Sequence, residues 1–299
     1  MKKKKFIIGI IVFIIIVAAL GSKGKKNNDK KSIVDSSNTS DNDSSDTKKT
    51  SSKVTIEEQV LVDQDGVKIT AKEFTTGGIM GDGIKVVIEN NTSENITVGC
   101  TALIVNDYMI NDLFASDVAA GKKSNETIDL YTSELNAAGI DTVGKIEIYF
   151  HVYKSEGFDK LFDSECITIK TSEYDNMDTT ADIQGKELYN EGGIKIVGKA
   201  VDENSFWGTA ILLYVENNSG RNVGINVDNM SVNGYMMNPI FSTTVYDGKK
   251  DYDDITLLKS QLEENGITSI NDVELTFHIY DADTYETITD SDTIKFSAE

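Results

Sequence analysis

Residues 59–170 and 186–297 align at a constant offset of 127 without a gap, and 34 of the 112 aligned positions are identical, about 30%. An ungapped match of that length is one domain-sized unit present twice, so both halves must fold to a similar plan. Units of about 110 residues are too long for a solenoid repeat and suit a small two-layer β domain.

Within each unit the apolar residues recur with period two. Ile146, Ile148, Phe150 and Val152 alternate with Glu147, Tyr149, His151 and Tyr153; in the second copy Val273, Leu275, Phe277 and Ile279 alternate with Glu274, Thr276, His278 and Tyr280. One face of such a strand is core and the other is wet. Similar runs at Val67 to Phe74, Ile84 to Ile88, Ile96 to Cys100, Leu103 to Val105, Thr127 to Leu130 and Cys166 to Ile169 predict seven or eight strands per unit. Asp65-Gly66, Gly192-Gly193, Asn90-Asn91, Asn217-Asn218, Asn106-Asp107 and Asn233-Gly234 are suited to the positive φ of tight hairpins. A single short helical turn is expected in each copy, capped by Ser133 or Ser260, carrying Leu135 or Leu262 inward and stopped by Gly139 or Gly266.

Many short strands with almost no helix predict an all-β chain of two tandem immunoglobulin-like antiparallel β-sandwiches, at 54–172 and 186–299, joined by a polar connector at 173–185. Ahead of them, Lys2 to Lys5 precede an uncharged apolar run from Phe6 to Leu20, read as a transmembrane helix or a secretory signal within 1–22. The basic flank after Leu20 is a poor cleavage context and favours the retained anchor; both readings place the remainder outside the cell membrane. Residues 23–53 are rich in Ser, Asp, Asn, Lys and Thr and read as a disordered linker.

Residues 54–299 carry 17 basic and 44 acidic residues, a net −27. A surface so acidic repels phosphate, which argues against nucleic acid as a partner. One proline, two cysteines and two histidines exclude collagen-like repeats, a disulfide scaffold and a Cys/His zinc site. Cys100 aligns with Val227 on an apolar face and Cys166 with Thr293 on the opposite one, so two free thiols are expected.

ENNTSENITV, IVNDYMIND and IYFHVY, with their second copies ENNSGRNVGI, SVNGYMMNP and TFHIYDAD, resemble tandem immunoglobulin-like domains of unknown function in membrane-anchored surface proteins of Gram-positive bacteria. The resemblance implies an exported β-sandwich. It brings no activity and no site residues with it.

The residues with chemistry to offer are few. His151 and His278 share one position, each four residues after a glutamate and two before a tyrosine, so Glu147, His151 and Tyr153, with Glu274, His278 and Tyr280, form an outward stripe that is either a ligand row or an ordinary wet sheet face. Phe206 and Trp207, in a loop, either cap the core or stack on a sugar or protein partner; the cap is the simpler expectation. Asp251, Asp253, Asp254, Asp281 and Asp283 lack the Asp-x-Asp-x-Asp-Gly order of a calcium loop. No GxSxG, HExxH or Walker motif occurs, and neither catalytic residues, metal ligands nor a cofactor are expected. The chain reads as an extracellular binding or structural module for a protein or cell-wall polymer; the alternative is an exported enzyme or enzyme inhibitor with a site between the two domains.

Overall fold

A computed structural model of the chain describes residues 53–111 and 113–297. The anchor read at 1–22, and all of the linker except Lys53, lie outside the described residues. Among those described, no helix is long and apolar enough to cross a membrane.

The fold is all-β. The first repeat contains β1 (Gln59–Gln64), β2 (Val67–Thr75), β3 (Gly81–Asn90), β4 (Ile96–Val105), β5 (Tyr108–Ile110), β6 (Ala115–Val118), β7 (Lys123–Tyr131), α1 (Thr132–Ala137), β8 (Lys145–Lys154), β9 (Lys160–Asp163) and β10 (Ile167–Lys170). The second repeats that order as β11 (Lys186–Glu191), β12 (Ile194–Ser205), β13 (Gly208–Asn217), β14 (Val223–Val232), β15 (Tyr235–Met236), β16 (Ser242–Val245), β17 (Lys249–Leu258), α2 (Lys259–Glu264), β18 (Asp272–Asp281), β19 (Thr287–Asp290) and β20 (Ile294–Ser297). In each repeat one antiparallel layer runs β1-β2-β3-β7, or β11-β12-β13-β17. The other is built on the central pair β4-β8, or β14-β18, with the short strands along its edges. Those short edge strands are why each repeat holds more strands than the hydrophobic runs announce.

Alternation builds the core. Ile146, Ile148, Phe150 and Val152 are fully buried, as are Val273, Leu275, Phe277 and Ile279 in the second copy. They meet Ile69, Ile84 and Ile128, or Ile196, Ile211 and Ile255, from the facing layer. At about 1.5–3 kcal/mol for each fully buried large aliphatic or aromatic side chain, this is the main stabilising term. Two predicted runs prove to be one strand. In β4 the register shifts between Cys100 and Ala102, and this bulge resets which residues face inward, so the alternation breaks in mid-strand.

The hairpins Asp65-Gly66, Gly192-Gly193, Asn106-Asp107 and Asn233-Gly234 have positive φ at both residues, as expected. Asn90-Asn91 and Asn217-Asn218 do not, because Asn90 and Asn217 are wholly buried strand-end residues whose side chains hold the following loop. Nδ2 of Asn90 donates to the carbonyls of Glu94 (2.7 Å) and Val118 (2.9 Å), and Nδ2 of Asn217 to those of Arg221 and Val245 (2.8 Å each). Gly139 and Gly266 end the helical turns with φ of 67°. Ser133 and Ser260 do not cap them: β7 and β17 run straight into the helices, Tyr131 and Leu258 occupy the cap positions, and neither helix has a side-chain cap bond.

The repeats are joined by a seam. β5 of the first lies parallel to β17 of the second through the pair Tyr108 and Lys250, and the Lys250 amide donates to the Asp107 carbonyl at 2.9 Å. Two layers thereby become one ten-stranded sheet. Tyr108 stacks on Tyr252, with centroids 5.7 Å apart, and Tyr149 meets Tyr246 edge-on at 4.9 Å. The connector lies along the seam: the Tyr252 hydroxyl donates to the Asp182 carbonyl at 2.8 Å, and Lys250 to that of Thr179.

Candidate functional site

The outward faces of β8 and β18 carry the predicted stripe, and the structure divides it. Glu147 faces the seam, its carboxylate 2.6 Å from Lys249 Nζ and 3.2 Å from Lys145 Nζ. Glu274, in the second copy, pairs with Lys295 at 2.7 Å. Ion pairing therefore occupies the glutamates, and the acidic partner of each histidine is a different residue. Antiparallel pairing sets His151 directly opposite Asp163 and His278 opposite Asp290. His151 Nδ1 contacts Asp163 Oδ1, and His278 Nδ1 contacts Asp290 Oδ1 at 2.6 Å. Burial raises the Asp163 pKa, but Lys160 and His151 outweigh it and hold the carboxyl below its usual range. Asp163 and Asp290 themselves obey the 127-residue offset, which is the signal by which sequence alone could have found them.

Aromatic rings extend each His–Asp pair. His278 and Tyr280 are near-parallel with centroids 5.7 Å apart, and Tyr285 continues the row 6.1 Å beyond Tyr280. In the first copy His151, Tyr153 and Phe158 follow the same course with tilts of 41° and 38°. Phe158 and Tyr285 both sit in left-handed turns (φ 56° and 60°) that bring their rings back over the strand. Tyr280 lies flat because its cross-strand neighbour is Gly224: a Cβ there would come within 2.1 Å of the ring. The first copy has Thr97 at that place, bonded to Ser155 at 2.9 Å. Each repeat thus offers a shallow, half-exposed strip of imidazole, carboxylate and aromatic faces, chemistry that suits stacking and hydrogen bonding to a polar ligand.

Phe206 and Trp207 form the tip of the β12–β13 hairpin, 89% and 58% exposed. They do not cap the core: β12 and β13 continue past it, so the pair stands at the end of a projecting ribbon, ring edge to ring face at 4.9 Å. Ile79 and Met80, at the matching tip of the first repeat, are likewise exposed. Cys100 is half-buried against the core and Cys166 is exposed, and no disulfide joins them. Among the described residues no group of three or more His, Cys, Asp or Glu assembles as a metal site.

A second feature has no clear sequence signature. A crevice of about 690 Å³ between α1 and the second repeat's sheet is lined by Glu134, Asp253, Asp254 and Asp182, with Lys199 and Tyr252. Burial, then Asp254 and Glu134, push Asp253 up to about 6. Burial and Asp253 also raise Asp251, whose carboxylate accepts from the Thr243 hydroxyl, well above its usual range. A carboxyl with a raised folded-state pKa binds more protons folded than unfolded, so folding strengthens as pH falls from about 6 towards the unfolded value near 4. Thermal melts are expected to show the midpoint rising between pH 7 and pH 5. Asp253→Asn is expected to add about 1–2 kcal/mol at pH 7 and nothing near pH 4. A pH-independent gain would assign the effect to something other than this carboxyl.

No family model matches the chain, and no curated protein matches it. Solved structures similar to it include a Salmonella enterica SafA pilin in complex with the SafB chaperone, at 13% identity over 77% of this chain and 95% of that one, with a TM-score of 0.24. A protein of unknown function from Porphyromonas gingivalis W83 is similar at 8% identity over 78% of this chain and 97% of that one, with a TM-score of 0.21. The exo-chitosanase CsxA of Amycolatopsis orientalis is similar at 11% identity over 75% of this chain but 26% of its own, with a TM-score of 0.25. At these scores the likenesses carry no statement about what this chain binds or does.

Proposed function

We propose that the protein is a non-catalytic binding or structural module of the outer cell surface, two immunoglobulin-like sandwiches held to the membrane by the N-terminal helix and linker, and that its partner is a protein or cell-wall polymer. The observation that carries this reading is the His–Asp–aromatic row present on both repeats, whose imidazoles and Tyr153 and Tyr280 rings are half-exposed, whose carboxylates are exposed, and whose bonds run among its own side chains rather than to the backbone. Other identities between the copies hold the fold. Asn106 and Asn233 each accept two amides and donate to a loop carbonyl, and Ser164 and Ser291 accept the amides of Phe150 and Phe277. The row does no such work. In the first repeat Glu147 and Tyr149, on the same strand face beside the row, meet the second repeat, and His151 and Tyr153 are the accessible part.

The test is sedimentation of the full chain, in detergent, with insoluble cell-wall polymer and with a panel of cell-surface proteins. Tyr280→Ala combined with Tyr153→Ala is expected to weaken binding roughly tenfold or more, since stacked rings each contribute about 1 kcal/mol. The melting midpoint should stay unchanged, because both rings lie outside the core. Undiminished binding by this double variant would remove the row as the site.

A further inference from the structure

The seam inside the chain also describes what its free ends can hold. Tyr108, which closes the seam, is 1% exposed, and Met109 beside it packs against the second repeat's core. Their counterparts at the offset of 127 are Tyr235 and Met236, on β15, and these are 51% and 68% exposed. Among the described residues nothing covers them, because β15 is the last strand of its sheet. At the other end β7, the counterpart of β17, is also the last strand of its sheet, with Lys122 and Lys123 exposed where Lys249 and Lys250 enter the seam. Glu274 occupies the place of Glu147, the carboxylate that Lys249 grips. Among the described residues the chain therefore displays an uncovered inserting edge on one repeat and an uncovered receiving edge on the other.

We propose that β15 of one molecule seats on β7 of a second copy, repeating between chains the parallel seam that joins β5 to β17 within one. The two surfaces differ, so the contact is head-to-tail and extends into chains of molecules rather than closing as a symmetric dimer. It is weaker than the internal seam. Tyr214, Tyr246 and Tyr252 are replaced on the first repeat by Val87, Ala119 and Asn125, and Asp107 by Gly234 on the second. The association is accordingly reversible and concentration-dependent, and it is independent of what the His–Asp–aromatic row binds.

The internal pair Tyr108 and Lys250 predicts that Tyr235 of one copy lies opposite Lys123 of the next. Bridged strand pairs lie within the Cα separation a disulfide accepts. The test uses the full chain in detergent, with Cys100→Val and Cys166→Thr taking the residues of their counterparts. Tyr235→Cys in one preparation is mixed with Lys123→Cys in another under mild oxidation. A mixed disulfide is expected at roughly tenfold the yield of either preparation alone, and Met236→Lys should lower it by about as much. Self-linking of Tyr235→Cys as readily as mixed linking would overturn the proposal in favour of a symmetric dimer. So would a mixed yield no higher than that of a Glu58→Cys control. Both cysteines replace exposed side chains; as a check needing no variant, the unmodified chain should sediment as a concentration-dependent series, and a single monomeric species at high micromolar concentration would also overturn the proposal.

Discussion

Asn217→Ala is expected to lower the stability of the protein by about 3–5 kcal/mol, and Asn90→Ala by a similar amount, because each amide uses all four of its bonding positions in a place water does not reach. Nδ2 of Asn217 donates to Arg221 and Val245, and its Oδ1 accepts from the Ser219 amide at 3.0 Å and hydroxyl at 2.7 Å. Asn90 does the same with Glu94, Val118 and Thr92. Truncation leaves the carbonyl of Val245 or Val118 without its partner, at about 1–3 kcal/mol, and frees the loop that the amide tied to the strand end. Asn222→Ala is the control, since its Oδ1 accepts from the Asp247 amide at 3.2 Å in an exposed loop and its loss should cost less than about 1 kcal/mol. Urea unfolding measures all three. Equal midpoints for Asn217→Ala and Asn222→Ala would show that burial of the amide does not set its worth.

Lys249→Met should be nearly as costly, about 2–4 kcal/mol. Lys249 and Lys145 share two carboxylates: Asp107 Oδ1 lies 2.8 and 2.6 Å from the two ammonium groups, and Glu147 Oε2 lies 2.6 and 3.2 Å from them. Side-chain exposures of 12–26% keep the four charges largely from solvent, so removing one cation leaves two carboxylates competing for the other. Burial raises the Asp107 pKa, yet the lysines overcome it and hold it below the ordinary value; burial likewise lowers Lys145, and the carboxylates more than restore it. The Asp107 contribution is thus present above the unfolded pKa near 4 and is lost as pH falls through its lowered value, the opposite sign to Asp253. Calorimetry of Lys249→Met is expected to split one unfolding transition into two as the seam loosens. Glu147→Gln added to it should recover part of the loss, the coupling a double-mutant cycle isolates. A loss that Glu147→Gln deepens would refute the shared-charge account.

The elements that sequence made visible are those governed by periodicity and turn stereochemistry. Alternation along Ile146 to Tyr153 placed the core face and left the histidines outside, and the four Asn/Asp/Gly hairpins declared their positive φ. What sequence hid depends on register between distant strands. His151 meets Asp163 only because β8 and β9 pair with a particular offset, and Glu147 turns from ligand row to seam only because a second domain arrives beside it. The bulge in β4 inverts the alternation in mid-strand, and the buried roles of Asn90 and Asn217 resemble turn chemistry because asparagine serves both. For Phe206 and Trp207 the cap is the simpler of two expectations because apolar rings usually seek the core; a hairpin that overshoots it leaves no mark in local composition.

Carrying the same strip on each of two linked repeats alters how modest contacts add up. Under the proposed function, a long polymer with a regular subunit spacing that meets one strip would find the other already nearby, at an effective concentration of order millimolar, so avidity rather than single-site strength would govern retention. A short oligomer filling one strip would exchange quickly, whereas a strand long enough to span both would be held far longer by the same rings and carboxylates.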